Sequence, residues 1–145
     1  MNGRAFDGIQ KGDKTTAARV ITGRDIETFA ELTGDFNPIH LDTEFAQLTI
    51  FGTTIAHGIL IAGLISAAVS RFPGVIVYLS QSLDFLKPVR VGDRVEAVAE
   101  VIEKEAQGRE LRLSTTCVNQ LGEVVINGEA RVKVLEILDA RKTNA

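Results

Sequence analysis

Residues 57–72 read HGILIAGLISAAVSRF, and the only strongly polar side chains among them are His57, Ser66, Ser70 and Arg71. A surface helix keeps a polar face, so a helical stretch that is apolar on nearly every side is a buried helix. Pro73-Gly74 ends it. Directly afterwards the period changes from helical to alternating. Residues 75–85 are β-rich. Val95, Ala97, Ala99 and Val101 alternate with Arg94, Glu96, Val98 and Glu100, and Leu111, Leu113, Thr115 and Cys117 form a second alternating set. Ile126, Gly128, Ala130, Val132 and Val134 alternate with Asn127, Glu129, Arg131 and Lys133. Turn residues fall at Lys87-Pro88, Gly92-Asp93, 106–109 and 119–122. Four consecutive strands of this kind predict an antiparallel sheet with one wet face. One buried helix and one such sheet make an α+β layer in which the sheet wraps the helix.

Upstream the chain is helical after a short lead-in. Thr22 followed three residues later by Asp25 has the form of a capping box, with Asp in place of the preferred Glu. Ile26, Phe29, Ala30 and Thr33 recur at helical spacing, and Gly34 stands where a helix ends. This spacing predicts a helix over Gly23–Thr33. Pro38 forbids its continuation, GDFNP reads as loop, and a short helical turn is expected from Asp42.

Composition narrows the class. The chain has 145 residues, 16 Lys+Arg against 19 Asp+Glu and a net charge of −3, which argues against a general nucleic-acid binder. With 45% hydrophobic residues and 3 prolines, it reads as one folded domain over 1–145, with a frayed polar tail at 139–145. The single cysteine, Cys117, has no internal partner and lies on a strand face, where an inert, half-buried thiol is expected. The N-terminus lacks the apolar core of a signal peptide, and the apolar run at 59–69 is shorter than the ~20 residues a membrane span needs. A cytoplasmic protein with no membrane partner is the expectation.

Candidate chemistry clusters at 29–46. Asp35 and His40 are five residues apart, and Pro38 stiffens the loop between them by fixing its own φ and holding Asn37 extended. A carboxylate and an imidazole facing one cleft can hold and activate a water by general acid–base catalysis. The bland alternative is an Asx-type turn at Asp35 and a surface histidine at His40. His57-Gly58 opens the buried helix, where free N–H groups form an anion site and glycine admits close approach of a ligand. The alternative there is tight packing at Gly58 and a helix cap at His57. Ser66 and Ser70 follow two and three turns along, where serines commonly bond their own backbone.

Together these residues resemble the hydratase-2 signature of the MaoC-like family, the (R)-specific enoyl-CoA hydratases. Phe29, Leu32, Thr33, Gly34, Asp35, Asn37, Pro38, Ile39, His40 and Ala46 satisfy that signature without a gap. The resemblance continues through Ala56-His57-Gly58, Ser66, the YLSQSLDFLKPV stretch and Val91-Gly92-Asp93. It implies a hot-dog fold, an antiparallel sheet wrapped around a long central helix. It also implies reversible hydration of trans-2-enoyl-CoA to (R)-3-hydroxyacyl-CoA without metal or organic cofactor, coenzyme A being part of the substrate. By the same resemblance Asp35 and His40 are the catalytic pair, sharing one water. Gly58 N–H holds the thioester oxygen, Ser66 supports the site, and the chain forms a homodimer. A hot-dog thioesterase and a non-catalytic acyl-CoA-binding module are the alternative functions. Acyl length is read from helical spacing: Val69 and Ser70 share the face of Ser66, and the stiffness of Val69 predicts a preference for about four to six carbons.

Overall fold

The computed structural model describes residues 4–138, so the expected frayed tail at 139–145 lies outside the described residues. Elements run in the order α1 (Arg4–Gly8), β1 (Lys14–Val20), α2 (Gly23–Thr33), α3 (Pro38–Leu41), α4 (Thr43–Gln47), α5 (Gly58–Val69), β2 (Val75–Gln81), β3 (Asp84–Phe85), β4 (Arg94–Glu105), β5 (Glu110–Val118) and β6 (Val124–Leu135). The strands make one antiparallel sheet in the order β1-β4-β5-β6-β2, with β3 also pairing with β6. The sheet curls around α5, and the fold is a hot-dog fold.

The alternation read along the strands is the alternation of burial. Val95, Ala97, Ala99 and Val101 on β4, Leu111, Leu113, Thr115 and Cys117 on β5, and Ala130, Val132 and Val134 on β6 all turn inward. Ala97 and Ala99 are short, which lets α5 settle close to β1 and β4. Thr115, the one polar member of that inner set, has its hydroxyl paired with Gln81 Nε2 at 2.9 Å. Cys117 is buried outright rather than half-buried, and burial pushes its thiol up to about 12. The outer face carries ion pairs, including Arg112 with Glu103 and Glu129, and Arg131 with Glu110.

Four features depart from the pattern read along the chain. An additional strand, β1, sits at a sheet edge. Most of its side chains are exposed, so it carries little alternating signal. The stretch at 75–85 divides into β2 and β3 around Ser82, whose N–H bonds Glu129 O at 2.8 Å. Gly128 permits that close crossing, because a Cβ there would lie 1.8 Å from Ser82 O. Pro38 does not sit in open loop: it opens the one-turn helix α3, at the first-turn position where its missing N–H costs nothing. Finally, α5 is covered on one side only. Ile61, Ile65, Ala68 and Val69 pack into the core, whereas Ile59 is 58% exposed and Gly63, Ser66 and Ser70 are exposed with it.

No helix among the described residues is long and apolar enough to cross a membrane.

Candidate active site

The end of α2 delivers the chain into the site. The helix begins as its sequence suggests, with Thr22 and Asp25 exchanging both bonds of the capping box. Arg19 also binds Asp25 through two nitrogens, at 2.9 and 2.7 Å, and holds its carboxyl down at about 2. The helix ends at Gly34, which adopts the left-handed conformation (φ 82°) and donates its N–H to Ala30 O. A side chain would strain that conformation. The chain therefore turns sharply at the residue before Asp35.

From there each residue fixes the next. Thr33 Oγ1 accepts the Asp35 N–H at 3.2 Å, and Asp35 Oδ1 accepts the Asn37 N–H at 3.2 Å. The Asx turn is thus present, and it leaves the rest of the carboxylate exposed. Asn37 then caps α3, its Oδ1 accepting the Ile39 N–H at 3.4 Å. His40 accordingly rides on a helical turn and is partly buried. Its Nδ1 lies 2.8 Å from Ile55 O, and Ile55 N–H bonds Ile39 O at 3.1 Å. A carbonyl oxygen only accepts, so the His40 proton sits on Nδ1 and the lone pair of Nε2 is left free.

His57 precedes Gly58 at the start of α5 but makes no side-chain cap bond. Its Nε2 instead donates to the main-chain oxygen of Asp35 at 3.0 Å. The rings of His57 and His40 lie with centroids 3.9 Å apart at 30°, and Phe29 flanks His57 at 4.6 Å. Asp35, His40 and His57 each bring one donor atom within 4.8 Å of the others. The two rings are tilted by 30°, and each already spends one nitrogen on a main-chain carbonyl, His40 Nδ1 on Ile55 O and His57 Nε2 on Asp35 O. The cluster suits hydrogen bonding better than coordination.

An apolar cavity of about 510 Å³ opens beside His40, walled by Ile59, Phe85, Val89 and Ile126, with Gly58 and Lys87 also in its lining. A Cβ on Gly58 would lie 2.6 Å from two ring carbons of Phe85, so only glycine lets that ring close over the first turn of α5. The Gly58 N–H is among the first-turn groups for which a helix offers no acceptor. Its dipole end and the apolar walls together favour a developing oxyanion.

The structure therefore gathers Asp35, His40 and Gly58 at one end of α5, where His40 and Gly58 line the cavity and Asp35 stands beside His40, outside that lining. It does not bring Ser66, Val69 or Ser70 to this cavity. Val69 is 1% exposed and packed in the core, Ser66 is exposed, and the Ser70 hydroxyl donates to Ala67 O at 2.7 Å. Ser66 is implied by the family resemblance, and the helical spacing that adds Val69 and Ser70 assumes that the pocket runs along the Ser66 face, whereas Val69 turns toward the sheet. The sequence reading also passed over His57 as a tether. The available signal was a lone imidazole at the head of an otherwise apolar helix.

A family profile described as "MaoC like domain" matches residues 7–134. The chain is 49% identical over 132 residues to the 3-hydroxybutyryl-CoA dehydratase of Methylorubrum extorquens, covering 89% of this chain and 83% of that protein. It is 44% identical over 131 residues to the (R)-specific enoyl-CoA hydratase of Rhodospirillum rubrum, covering 89% and 90%. Among solved structures, the unliganded R-hydratase of Pseudomonas aeruginosa superposes with a TM-score of 0.84 at 38% identity, over 91% of this chain and 86% of that one. This chain belongs to the MaoC-like family and is an enzyme of the hydratase–dehydratase kind, with an Asp–His cluster beside its cavity.

Proposed function

We propose that this chain adds water to trans-2-enoyl-CoA to give (R)-3-hydroxyacyl-CoA, and catalyses the reverse elimination. The observation that carries the reading is the grouping of Asp35 with His40, whose donor atoms lie within 4.8 Å of each other, beside an apolar cavity that His40 and the helix-start residue Gly58 both line. The Asp35 carboxylate and the His40 Nε2 lone pair are both acceptors. A water donating one hydrogen to each turns an oxygen lone pair toward the substrate. That oxygen bonds to C3 as one of the two groups takes a proton from it. The electron pair of the C2–C3 double bond moves toward the thioester, whose oxygen gains charge against the Gly58 N–H. The proton taken from the water then returns to C2. One hydroxyl and one hydrogen are added, no redox partner is needed, and the reverse path expels water. The similarity to bacterial enzymes named for enoyl-CoA hydration and 3-hydroxybutyryl-CoA dehydration supports coenzyme A as the thiol of the substrate.

We also propose a homodimer. The uncovered face of α5 with Ile59 and Gly63, and the edge strand β2 with Val75, Val77 and Leu79 exposed, supply apolar surface that a second copy would cover.

Loss of enoyl-thioester absorbance with crotonyl-CoA, followed by chiral analysis of the product, tests the reaction. The (R) alcohol is expected. Release of free thiol would instead make the chain a thioesterase, and binding without turnover would make it an acyl-CoA-binding module.

A further inference from the structure

We infer that His57 is a positioning residue that holds the Asp35 backbone at the distance from Gly58 which the reaction requires. This inference rests on the hydration reading above. Two reciprocal tethers join the 34–40 loop to the segment entering α5. His40, from the loop, donates Nδ1–H to Ile55 O at 2.8 Å, and His57, from the helix start, donates Nε2–H to Asp35 O at 3.0 Å. The main-chain bond between Ile55 N and Ile39 O, at 3.1 Å, fastens the His40 side independently of either ring. Nothing equivalent fastens the Asp35 side. Its N–H and carboxylate bond only to Thr33 and Asn37, two residues away, so among the described residues His57 alone ties the Asp35 peptide to the rest of the fold.

The ring of His57 is built for this single bond. It is 2% exposed, wedged between His40 and Phe29, and its Nδ1 has no partner among the described residues. Leaving a buried imidazole nitrogen unpaired is costly, and a phenyl ring would fill the same space without that cost. What the imidazole adds over such a ring is the Nε2 bond to Asp35 O. Because His57 directly precedes Gly58, the tether links the general acid–base side of the site to the oxyanion side through one residue. A misplacement of about 1 Å between such groups can cost on the order of 10²-fold in rate.

Two variants separate the tether from the packing. His57→Phe keeps a buried ring but removes the donor, whereas His57→Gln keeps an N–H near the position of Nε2. With crotonyl-CoA, His57→Phe should lower kcat by ~10–100-fold and leave KM within about twofold. His57→Gln should recover most of the lost kcat. Amide hydrogen exchange over 34–40 should quicken in His57→Phe, be restored in His57→Gln, and stay unchanged in the β5 and β6 peptides. Retention of more than half of wild-type kcat by His57→Phe would overturn the inference, as would unchanged exchange over 34–40. Equal loss in both variants together with a fall in melting temperature would mean that His57 only fills space. A wild-type protein that fails to hydrate crotonyl-CoA would defeat the hydration reading alone, since hydrogen exchange still decides whether the tether exists.

Discussion

The two ends of α5 are made from the same small and aliphatic residues, yet the apolar cavity of about 510 Å³ lies at the N-terminal one. At the N-terminal end, Gly58 leaves room for the Phe85 ring, Ile59 and Ile61 line an apolar space, and the Asp35–His40 loop is tied on from outside. At the C-terminal end, Ala68, Val69 and Phe72 are buried in the core, and Arg71 donates to Thr16 O on the edge strand. Both ends satisfy the same hydrophobic driving force. They differ in where the surrounding backbone can approach. A loop is tied on beside the cavity at one end, and close-packed apolar side chains fill the other. Apolar composition marks a helix as buried but not which of its ends a substrate can reach.

The sharpest way to break this comparison is to remove the chemistry from the open end. Asp35→Asn and His40→Ala should each lower kcat by ~10²–10⁴-fold, the usual size of a general acid–base contribution, while the far-ultraviolet circular dichroism remains that of the folded protein. Steady-state hydration of crotonyl-CoA measures the loss. More than half of wild-type activity in either variant would remove that residue from the mechanism.

A smaller effect sharpens the contrast by truncating one residue at each end. Ile59→Ala enlarges the cavity wall and should raise kcat/KM for an eight-carbon enoyl-CoA relative to crotonyl-CoA by roughly three- to tenfold, at ~0.8 kcal/mol per accommodated CH₂. Val69→Ala should leave that ratio unchanged and cost about 2 kcal/mol of stability, since it empties a space in a closed core. Thermal unfolding with and without urea measures the second outcome. A raised long-chain ratio in Val69→Ala would move the acyl limit back to the face on which the helical spacing first put it.

The smallest effect lies upstream, where α2 leads into the loop. Asp25 is held at about 2 by Arg19, below its usual value near 4, so its contribution is present above pH ~4 and lost as pH falls through about 2. Asp25→Asn should therefore lower the melting temperature by a few degrees at pH 7, as for loss of a cap contribution of about 1 kcal/mol. The gap from wild type should narrow between pH 4 and pH 2. Kinetic constants for crotonyl-CoA should change less than twofold, because the cap lies at the far end of α2 from Asp35.

Much of this molecule follows from local rules. Period-2 alternation set the inward faces of β4, β5 and β6, because adjacent side chains on a strand must point to opposite sides. Thr22, Asp25 and Gly34 bounded α2 through capping bonds made within a few residues. Asp35 and His40 were legible as candidates from their five-residue, proline-stiffened spacing, and their donor atoms lie within 4.8 Å of one another. What lies between distant segments was not legible. The edge strand β1 gains its pairing from β4, about eighty residues away, and shows little pattern of its own. The break between β2 and β3 depends on a glycine of β6 lying beneath Ser82. The position of the cavity, the turning of Val69 into the core and the bond from His57 to the Asp35 carbonyl depend on how α5 is rotated against the sheet. That rotation is fixed by packing of the whole core, and spacing along a single helix carries no record of it.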